Sequence, residues 1–240
     1  MERHILILFA TIFFAACNTN EPKEPVHNDI TESGFKGKLR SVTTIIYDSA
    51  AIVGKDKIDE ETNWRIKMNI SFNRGGNFDS VIYYNRLTWG DRRTVWSKIV
   101  YHYSGHDKIA FGQEVNGNTT DTIKFSSTSD TSYVRTETSP YNKTVAIVHL
   151  TKEYREKGGD VKSYNDSGKL IYGQVYEHVL NKENLPLKTR TTDLLTNETK
   201  VVSYLHSDFD SHNNPKKTFI SYDVPDGKVF KIMVRTFEYY

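Results

Sequence analysis

Arg65-Ile66-Lys67-Met68-Asn69-Ile70-Ser71-Phe72, followed at once by Asn73-Arg74-Gly75-Gly76-Asn77, is the stretch that decides the fold. Polar and apolar residues alternate along it. An extended chain therefore puts Ile66, Met68, Ile70 and Phe72 on one face and Arg65, Lys67, Asn69 and Ser71 on the other. A helix would scatter these apolar residues; a half-covered strand gathers them. The Asn/Gly cluster that follows tolerates the positive φ a tight hairpin requires.

The same two signals recur outward along the chain. Leu39, Ser41, Thr43, Ile45 and Tyr47 alternate with Arg40, Val42, Thr44 and Ile46. Val95, Ser97, Ile99, Tyr101 and Tyr103 form another stripe, and Val229 to Tyr240 ends the chain on a long strand pattern. Thr144 to Leu150 is almost continuously apolar, the pattern of a strand covered on both faces. Turn signals separate the runs: Ser104-Gly105-His106-Asp107, Asn116-Gly117-Asn118, Lys157-Gly158-Gly159-Asp160, Asp166-Ser167-Gly168-Lys169 and Pro225-Asp226-Gly227-Lys228. Strands joined by such short loops pair antiparallel, and no strand–helix–strand pattern appears. The expectation is an all-β antiparallel meander of about ten to twelve strands, forming a curved open sheet, an incomplete barrel or a sandwich. No helix longer than two turns is expected in the body.

Composition agrees and narrows the class. After Cys17, Ala occurs only at Ala50, Ala51, Ala110 and Ala146, while Thr, Tyr, Val and Ile abound. With 32 Lys+Arg against 30 Asp+Glu, the chain is no strongly basic nucleic-acid binder and no acidic tail protein. Hydrophobic residues at 37% and charged residues at 26% exclude a polytopic helical membrane protein and a disordered chain. A single Cys permits neither an intrachain disulfide nor a Cys-built zinc cluster.

That Cys has a telling position. Met1-Glu2-Arg3-His4 is a short polar start, and Ile5 to Ala16 is apolar apart from Thr11, too short for a bilayer span of about 20 residues. Phe13-Phe14-Ala15-Ala16-Cys17 resembles the lipobox of bacterial lipoproteins, with small residues just before the Cys and Phe14 where the family usually has Leu. The resemblance implies a cell-envelope lipoprotein: a signal peptide over 1–16, cleavage, and acylation of Cys17, with palmitate-class chains contributing about 0.8 kcal/mol per buried CH₂. Asn18 stands where Asp would favour inner-membrane retention in the enteric rule, so the resemblance points to the outer membrane, with the periplasmic or surface face left open. Residues 17–34, with Pro22 and Pro25, read as a lipidated extended tether, and 35–240 as a single β-rich domain.

A weak repeat runs through that domain: an aromatic residue, an Asx, then Gly or Asn, usually before Lys. It occurs at Tyr47-Asp48 reaching Gly54-Lys55, at Tyr164-Asn165-Asp166-Ser167-Gly168-Lys169, at Phe209-Asp210-Ser211-His212-Asn213-Asn214, and at Tyr222-Asp223 with Asp226-Gly227-Lys228. The aromatic ends a strand, the Asx caps the turn, and Gly or Asn takes the left-handed position. Ser207 to Tyr240 resembles the hairpins of Rhs/YD-repeat-like sequences and the ends of small envelope lipoproteins of unknown function, here Arg235-Thr236-Phe237-Glu238-Tyr239-Tyr240. That resemblance implies a structural or interaction role.

Chemistry-bearing clusters are few. His206, Asp208, Asp210 and His212 would share one face of a strand, with Leu205 and Phe209 opposite. Two imidazoles and two carboxylates suit a divalent metal, but their extended span of roughly 20 Å exceeds one ion's reach; a solvent face entering a turn is the plainer reading. His102 and His106 flank a turn beside Asp107, and His149 lies in an apolar run. No nucleophile elbow, His-Glu-x-x-His, Walker loop or dinucleotide fingerprint occurs. Asp48-Ser49-Ala50, Asp79-Ser80-Val81 and Asp121-Thr122-Ile123 resemble a short O-glycosylation motif of some Gram-negative envelope systems, and Asn118, Asn142 and Asn197 sit in Asn-x-Thr sequons. Tyr83, Tyr84, Trp89, Trp96, Tyr101 and Tyr103, with Arg86, Arg92 and Arg93, offer packing or a glycan- or lipid-contacting surface. The expectation is a non-enzymatic outer-membrane-anchored β-domain without metal or cofactor. Its partners would be the membrane through acylated Cys17 and an envelope protein, glycan or lipid, not nucleic acid. The alternatives are a lipid- or hydrophobe-binding half-barrel carrier or receptor and, third, a metal-dependent hydrolase using His206, Asp208 and Asp210.

Overall fold

The computed structural model describes residues 27–48, 52–53, 57–58, 64–86, 93–104, 107–113, 119–140, 142–224 and 227–240. The signal, Cys17 and the first part of the tether lie outside these. A short helix, α1 (Asp29–Glu32), precedes β1 (Leu39–Asp48), the two-residue strands β2 (Ile52–Val53) and β3 (Lys57–Ile58), β4 (Trp64–Phe72) and β5 (Phe78–Arg86). Then come β6 (Arg93–Ser104), β7 (Asp107–Gln113), β8 (Thr119–Ser129), β9 (Ser132–Thr138) and β10 (Asn142–Leu150). The chain ends with β11 (Glu156–Asn165), β12 (Leu170–Leu180), β13 (Pro186–Asp193), β14 (Thr199–Phe209), β15 (Pro215–Val224) and β16 (Gly227–Tyr239).

The all-β antiparallel meander is present, but it does not stay open. β1 pairs with β4 on one side and with β16 on the other, closing a barrel of 14 strands while β2 and β3 pair apart. Thr43, for example, lies between Asn69 and Thr236. The open sheet, incomplete barrel or sandwich, and the count of ten to twelve strands, are thus corrected. Closure pairs the last strand with the first and leaves no edge exposed.

Alternation sorts the wall. Val42, Ile70, Phe72, Val81 and Leu39 are buried in one cluster, joined by Met68, Phe78, Tyr83, Ile99, Tyr101 and Phe237. The expected double-sided burial of Thr144–Leu150 is not seen. Ala146, Val148 and Leu150 are buried, Lys143 and His149 are exposed, and Val145 and Ile147 are half-buried on the outer face. On the outside of β12 and β13, exposed Glu177 stands opposite exposed Arg190, and on β11 Lys162 reaches Asp160 at 3.4 Å.

Five connections share one turn. At Asn73–Asn77, Thr151–Arg155, Asn165–Lys169, Asn181–Leu185 and Asp210–Asn214, the first residue's N–H donates to the fifth carbonyl and the fourth N–H returns to the first carbonyl. The fourth residue is left-handed each time: Gly76, Tyr154, Gly168, Asn184 and Asn213. The side-chain oxygen of the first residue accepts from the loop's N–H groups. Two of these turns follow Tyr164 and Phe209 as the repeat anticipates. The turn expected at Lys157-Gly158-Gly159-Asp160 is instead part of β11. Its glycines answer to close packing: a Cβ on Gly159 would stand 2.1 Å from the Ile147 carbonyl oxygen.

Candidate functional site

A barrel of this strand number leaves an interior that wall side chains alone do not fill, and the chain's own N-terminal segment supplies part of the filling. Asn28 caps α1: its Oδ1 accepts from the Thr31 N–H at 3.0 Å, and the Thr31 hydroxyl answers the Asn28 N–H at 3.1 Å. Ile30 is buried in the core cluster, and its N–H donates to the Gly76 carbonyl. Residues 28–34, expected as extended tether, thus belong to the barrel. The Asn-Asp-Ile-Thr cap and the apolar Ile30 outweigh the polar composition around them.

The plug is tied to the wall all the way round one mouth. The Asp29 carboxylate accepts from the Phe78 N–H at 2.7 Å and the Tyr103 hydroxyl at 3.1 Å and pairs with Lys108. That ammonium also lies over the rings of Phe78, Tyr101 and Phe125. The Tyr133 hydroxyl donates to the Glu32 carboxylate, and Arg155 to the Glu32 carbonyl. Asn214, fully buried, accepts from the Lys36 N–H at 2.8 Å, donates to its carbonyl at 2.8 Å, and contacts the Tyr239 hydroxyl at 2.9 Å. Burial and the Asp29 and Glu32 charges push the Tyr103 and Tyr133 phenols far up, so both stay donors. A polar groove of about 440 Å³ runs beside the plug past Asn28, Lys108 and Ser132.

Behind it, the inner faces of β9–β13 enclose an open chamber of about 380 Å³. Its wall is Tyr133 and Arg135 from β9, Ala146 and Val148 from β10, Glu156 and Val161 from β11, Gln174, Tyr176 and His178 from β12, and Thr189 and Thr191 from β13. Glu156 is already engaged: the Tyr176 hydroxyl donates to it at 2.8 Å and His178 Nε2 stands 3.7 Å away. Burial would raise its carboxyl, but the bonds from His178 and Tyr176 and the charges of His178 and Arg155 hold it below the usual carboxylate range. Arg135 makes no hydrogen bond or ion pair among the described residues.

A second, smaller cavity of about 60 Å³ lies where the plug meets β14–β16, lined by Ser33, Phe35, Arg155, His206, Thr218 and Arg235 among others. Here His206 has its chemistry settled. The Pro186 carbonyl, 2.8 Å from Nε2, can only accept, so Nε2 carries a proton. Burial, with the charges of Arg235 and Arg155, lowers the ring's pKa despite the Pro186 bond, leaving it neutral. Nδ1 then accepts from the Thr218 hydroxyl at 3.0 Å, and Thr218 in turn accepts from Arg235 at 3.2 Å.

The row His206, Asp208, Asp210, His212 is therefore not assembled. Asp208 takes a left-handed φ of 51° and is skipped in the pairing between Ser207–Lys217 and Phe209–Pro215, which breaks the alternation. Asp208 is exposed beside Lys217, Asp210 caps its turn, and His212 stacks on Tyr239. Among the described residues no group of three or more His, Cys, Asp or Glu side chains is arranged to hold a metal. His102 is exposed against Phe111, His149 is exposed, and His106 lies outside the described residues. Asp79 is exposed on β5, Asp121 is half-buried on β8, and Asn142 and Asn197 adjoin turns. Ser49, Ala50 and Asn118 lie outside the described residues, as do the Trp89 and Arg92 part of the aromatic cluster. Tyr83 and Tyr101 serve as core. The chamber residues escaped sequence reading because they come from separate strands; only their inward parity was legible.

No family model matches the chain, and no curated protein matches it. It is similar to solved structures. A porin-like protein from Bacteroides vulgatus ATCC 8482 matches at 9% identity, over 85% of this chain and 99% of that one, with a TM-score of 0.48. A porin-like protein from Bacteroides uniformis ATCC 8492 matches at 10% identity over 83% and 98%, with a TM-score of 0.42. A LolA superfamily protein from Nitrosomonas europaea matches at 13% identity over 88% and 90%, with a TM-score of 0.30.

Proposed function

We propose that this chain is an envelope lipoprotein, anchored in the outer membrane through acylated Cys17, whose barrel binds a polar, acidic, ring-bearing ligand of the acidic-saccharide class. The observation that carries the reading is the chamber itself: Arg135, without a hydrogen bond or ion pair among the described residues, lines a space walled by Tyr, Gln, His and Thr side chains together with Glu156, Ala146, Val148 and Val161. Such a wall suits hydroxyl and carboxylate groups on a sugar ring, with tyrosines for its faces. An acyl chain would leave Arg135 without a counter-charge.

Binding is favoured over passage because residues 28–38 cross one mouth and are bonded to its rim. A bilayer-spanning barrel is disfavoured by the outer face, where Lys162, Glu177 and Arg190 face outward; a charge at the bilayer midplane costs about 2–4 kcal/mol. A binder rather than a catalyst fits side chains that are already committed, Glu156 to Tyr176 and His178, and His206 to Thr218 and Pro186.

Calorimetric titration of the detergent-extracted full chain with galacturonate oligomers, neutral oligosaccharides of equal length, and oleate tests this. Galacturonate oligomers bind best, and Arg135→Ala weakens them at least tenfold, about 1.4 kcal/mol. Tight oleate binding with no response to the acidic sugars would replace this reading with the hydrophobe carrier.

A further inference from the structure

The cavity between the plug and β14–β16 has a one-sided charge balance. Two guanidiniums, Arg155 and Arg235, reach it, and no carboxylate is among its lining residues. Arg155 is largely spoken for: Nε donates to the Asn184 carbonyl at 3.1 Å and Nη1 to the Glu32 carbonyl. Arg235 is not. Among the described residues only its Nη1 has hydrogen-bond partners, the Thr218 hydroxyl at 3.2 Å and the Pro215 carbonyl at a marginal 3.5 Å. Among the described residues it has no ion pair; the Phe35 ring beneath it, 5.8 Å away, is its remaining attraction. His206 cannot help by charge, because it is neutral and turned to Pro186 and Thr218.

From this arrangement we infer that the cavity is a binding site for a compact free oxyanion of phosphate size, gripped by the open fork of Arg235 and the charge of Arg155. An enclosed cation without a counter-charge is costly, and a bound anion removes that cost. The planar fork offers Nε and Nη2 together, the geometry that receives two oxygens of one oxyanion. The cavity is small, about 60 Å³, and so favours a compact ion such as inorganic phosphate over a bulky one. Burial and Arg155 together lower the Arg235 pKa to about 10, in keeping with a site short of negative charge. Because Ser33 and Phe35 line the same cavity, the ion would also fasten the plug to the wall.

The test uses the full chain, detergent-extracted and freed of phosphate. Inorganic phosphate is added at constant ionic strength against a bulky sulfonate too large for the cavity. The wild type shows a saturable rise in Tm and saturable broadening of the ³¹P line. Arg235→Met loses both, yet without phosphate is at least as stable as the wild type, since it removes an unpaired charge. Arg235→Lys keeps the charge but not the fork and binds at least tenfold more weakly. Arg135→Ala, in the other chamber, keeps the full response, which separates this site from the ligand chamber. Equal responses in wild type and Arg235→Met, no saturable response in the wild type, or a phosphate-free Arg235→Met far less stable than the wild type would each overturn the assignment.

Discussion

Replacing Asp29 by Asn removes one charge from the tightest knot between plug and wall. The Asp29 side chain is 6% exposed and that of its partner Lys108 is 18% exposed, so water screens the pair weakly. The substitution keeps an oxygen for the Phe78 N–H but leaves the Lys108 ammonium inside the barrel without a carboxylate. Losing one member of a buried pair costs about 3–5 kcal/mol. The rings of Phe78, Tyr101 and Phe125, with centroids 5.0, 5.1 and 4.5 Å from Nζ, offset part of that, since a desolvated cation–π contact is worth about 2 kcal/mol or more. A net loss of about 1–3 kcal/mol follows, or roughly 2–12 °C in Tm for a chain of this size. Urea unfolding followed by tyrosine fluorescence measures it. Limited trypsin digestion adds a local readout, because a loosened plug exposes the bonds after Lys36 and Lys38. Asp29→Asn with Lys108→Met should recover at least half of the loss, since no lone charge remains. A loss under about 1 kcal/mol with unchanged cleavage, or a double variant as unstable as the two singles added, would refute the account.

Further outcomes follow from the same contacts. Asn214→Ala removes a fully buried side chain, takes away the partner of both the N–H and the carbonyl of Lys36, and should cost about 2–4 kcal/mol in urea unfolding, with cleavage after Lys36 accelerated. At acid pH, Asp210 and Glu156 set a limb of the stability curve. Burial raises the Asp210 carboxyl, but bonds from Tyr239, from the Asn214 and His212 N–H groups and from the Asn214 amide pull it below its ordinary value; Glu156 is lowered as well. Their contribution is complete above the unfolded carboxylate range near pH 4 and is lost as pH falls through the lower folded values. Asp210→Asn and Glu156→Gln should each flatten the urea midpoint's decline below about pH 4 and leave its slope near neutrality unchanged. The Tyr239 phenol, pushed up to about 12 by burial and by its bond to Asp210, should show its ultraviolet ionisation midpoint well above the ordinary phenol value near 10 in the folded protein.

Strand identity was legible because it is local. The alternation at Arg65–Phe72 and the Asx-to-glycine turn at Asn165–Lys169 each need only a few consecutive residues. Closure was not legible. Whether β16 meets β1 depends on twist and stagger accumulated across every intervening pair, and no single pair carries it. Gly158 and Gly159 misled for a related reason. Glycine serves both a turn and a crowded strand, and only the neighbouring Ile147 and Tyr176 backbones decide between them. The His206–His212 row failed at one residue, Asp208, whose left-handed backbone turns its side chain out beside Lys217 before the strand ends at Phe209.

Interior charge ties these elements into one design. The wall turns Lys108, Arg135, Arg155 and Arg235 inward, with Glu156 beside Arg155. The plug brings the counter-charges: Asp29 pairs with Lys108, and Glu32 receives the Tyr133 hydroxyl while its carbonyl holds Arg155. A free hydroxyl or amide would have sufficed for packing, whereas two carboxylates on a single helical turn neutralise the mouth of the barrel. They do not reach the remaining cations. Arg135 in the larger chamber has no ion pair among the described residues, though Glu156 lines the same space, and Arg235 in the smaller cavity has no carboxylate among its lining residues. A wall that needed these side chains only for volume could have used Met or Leu at no electrostatic cost. Two such guanidiniums, each without an ion pair among the described residues and each in a separate space, are what supports the two proposed binding sites.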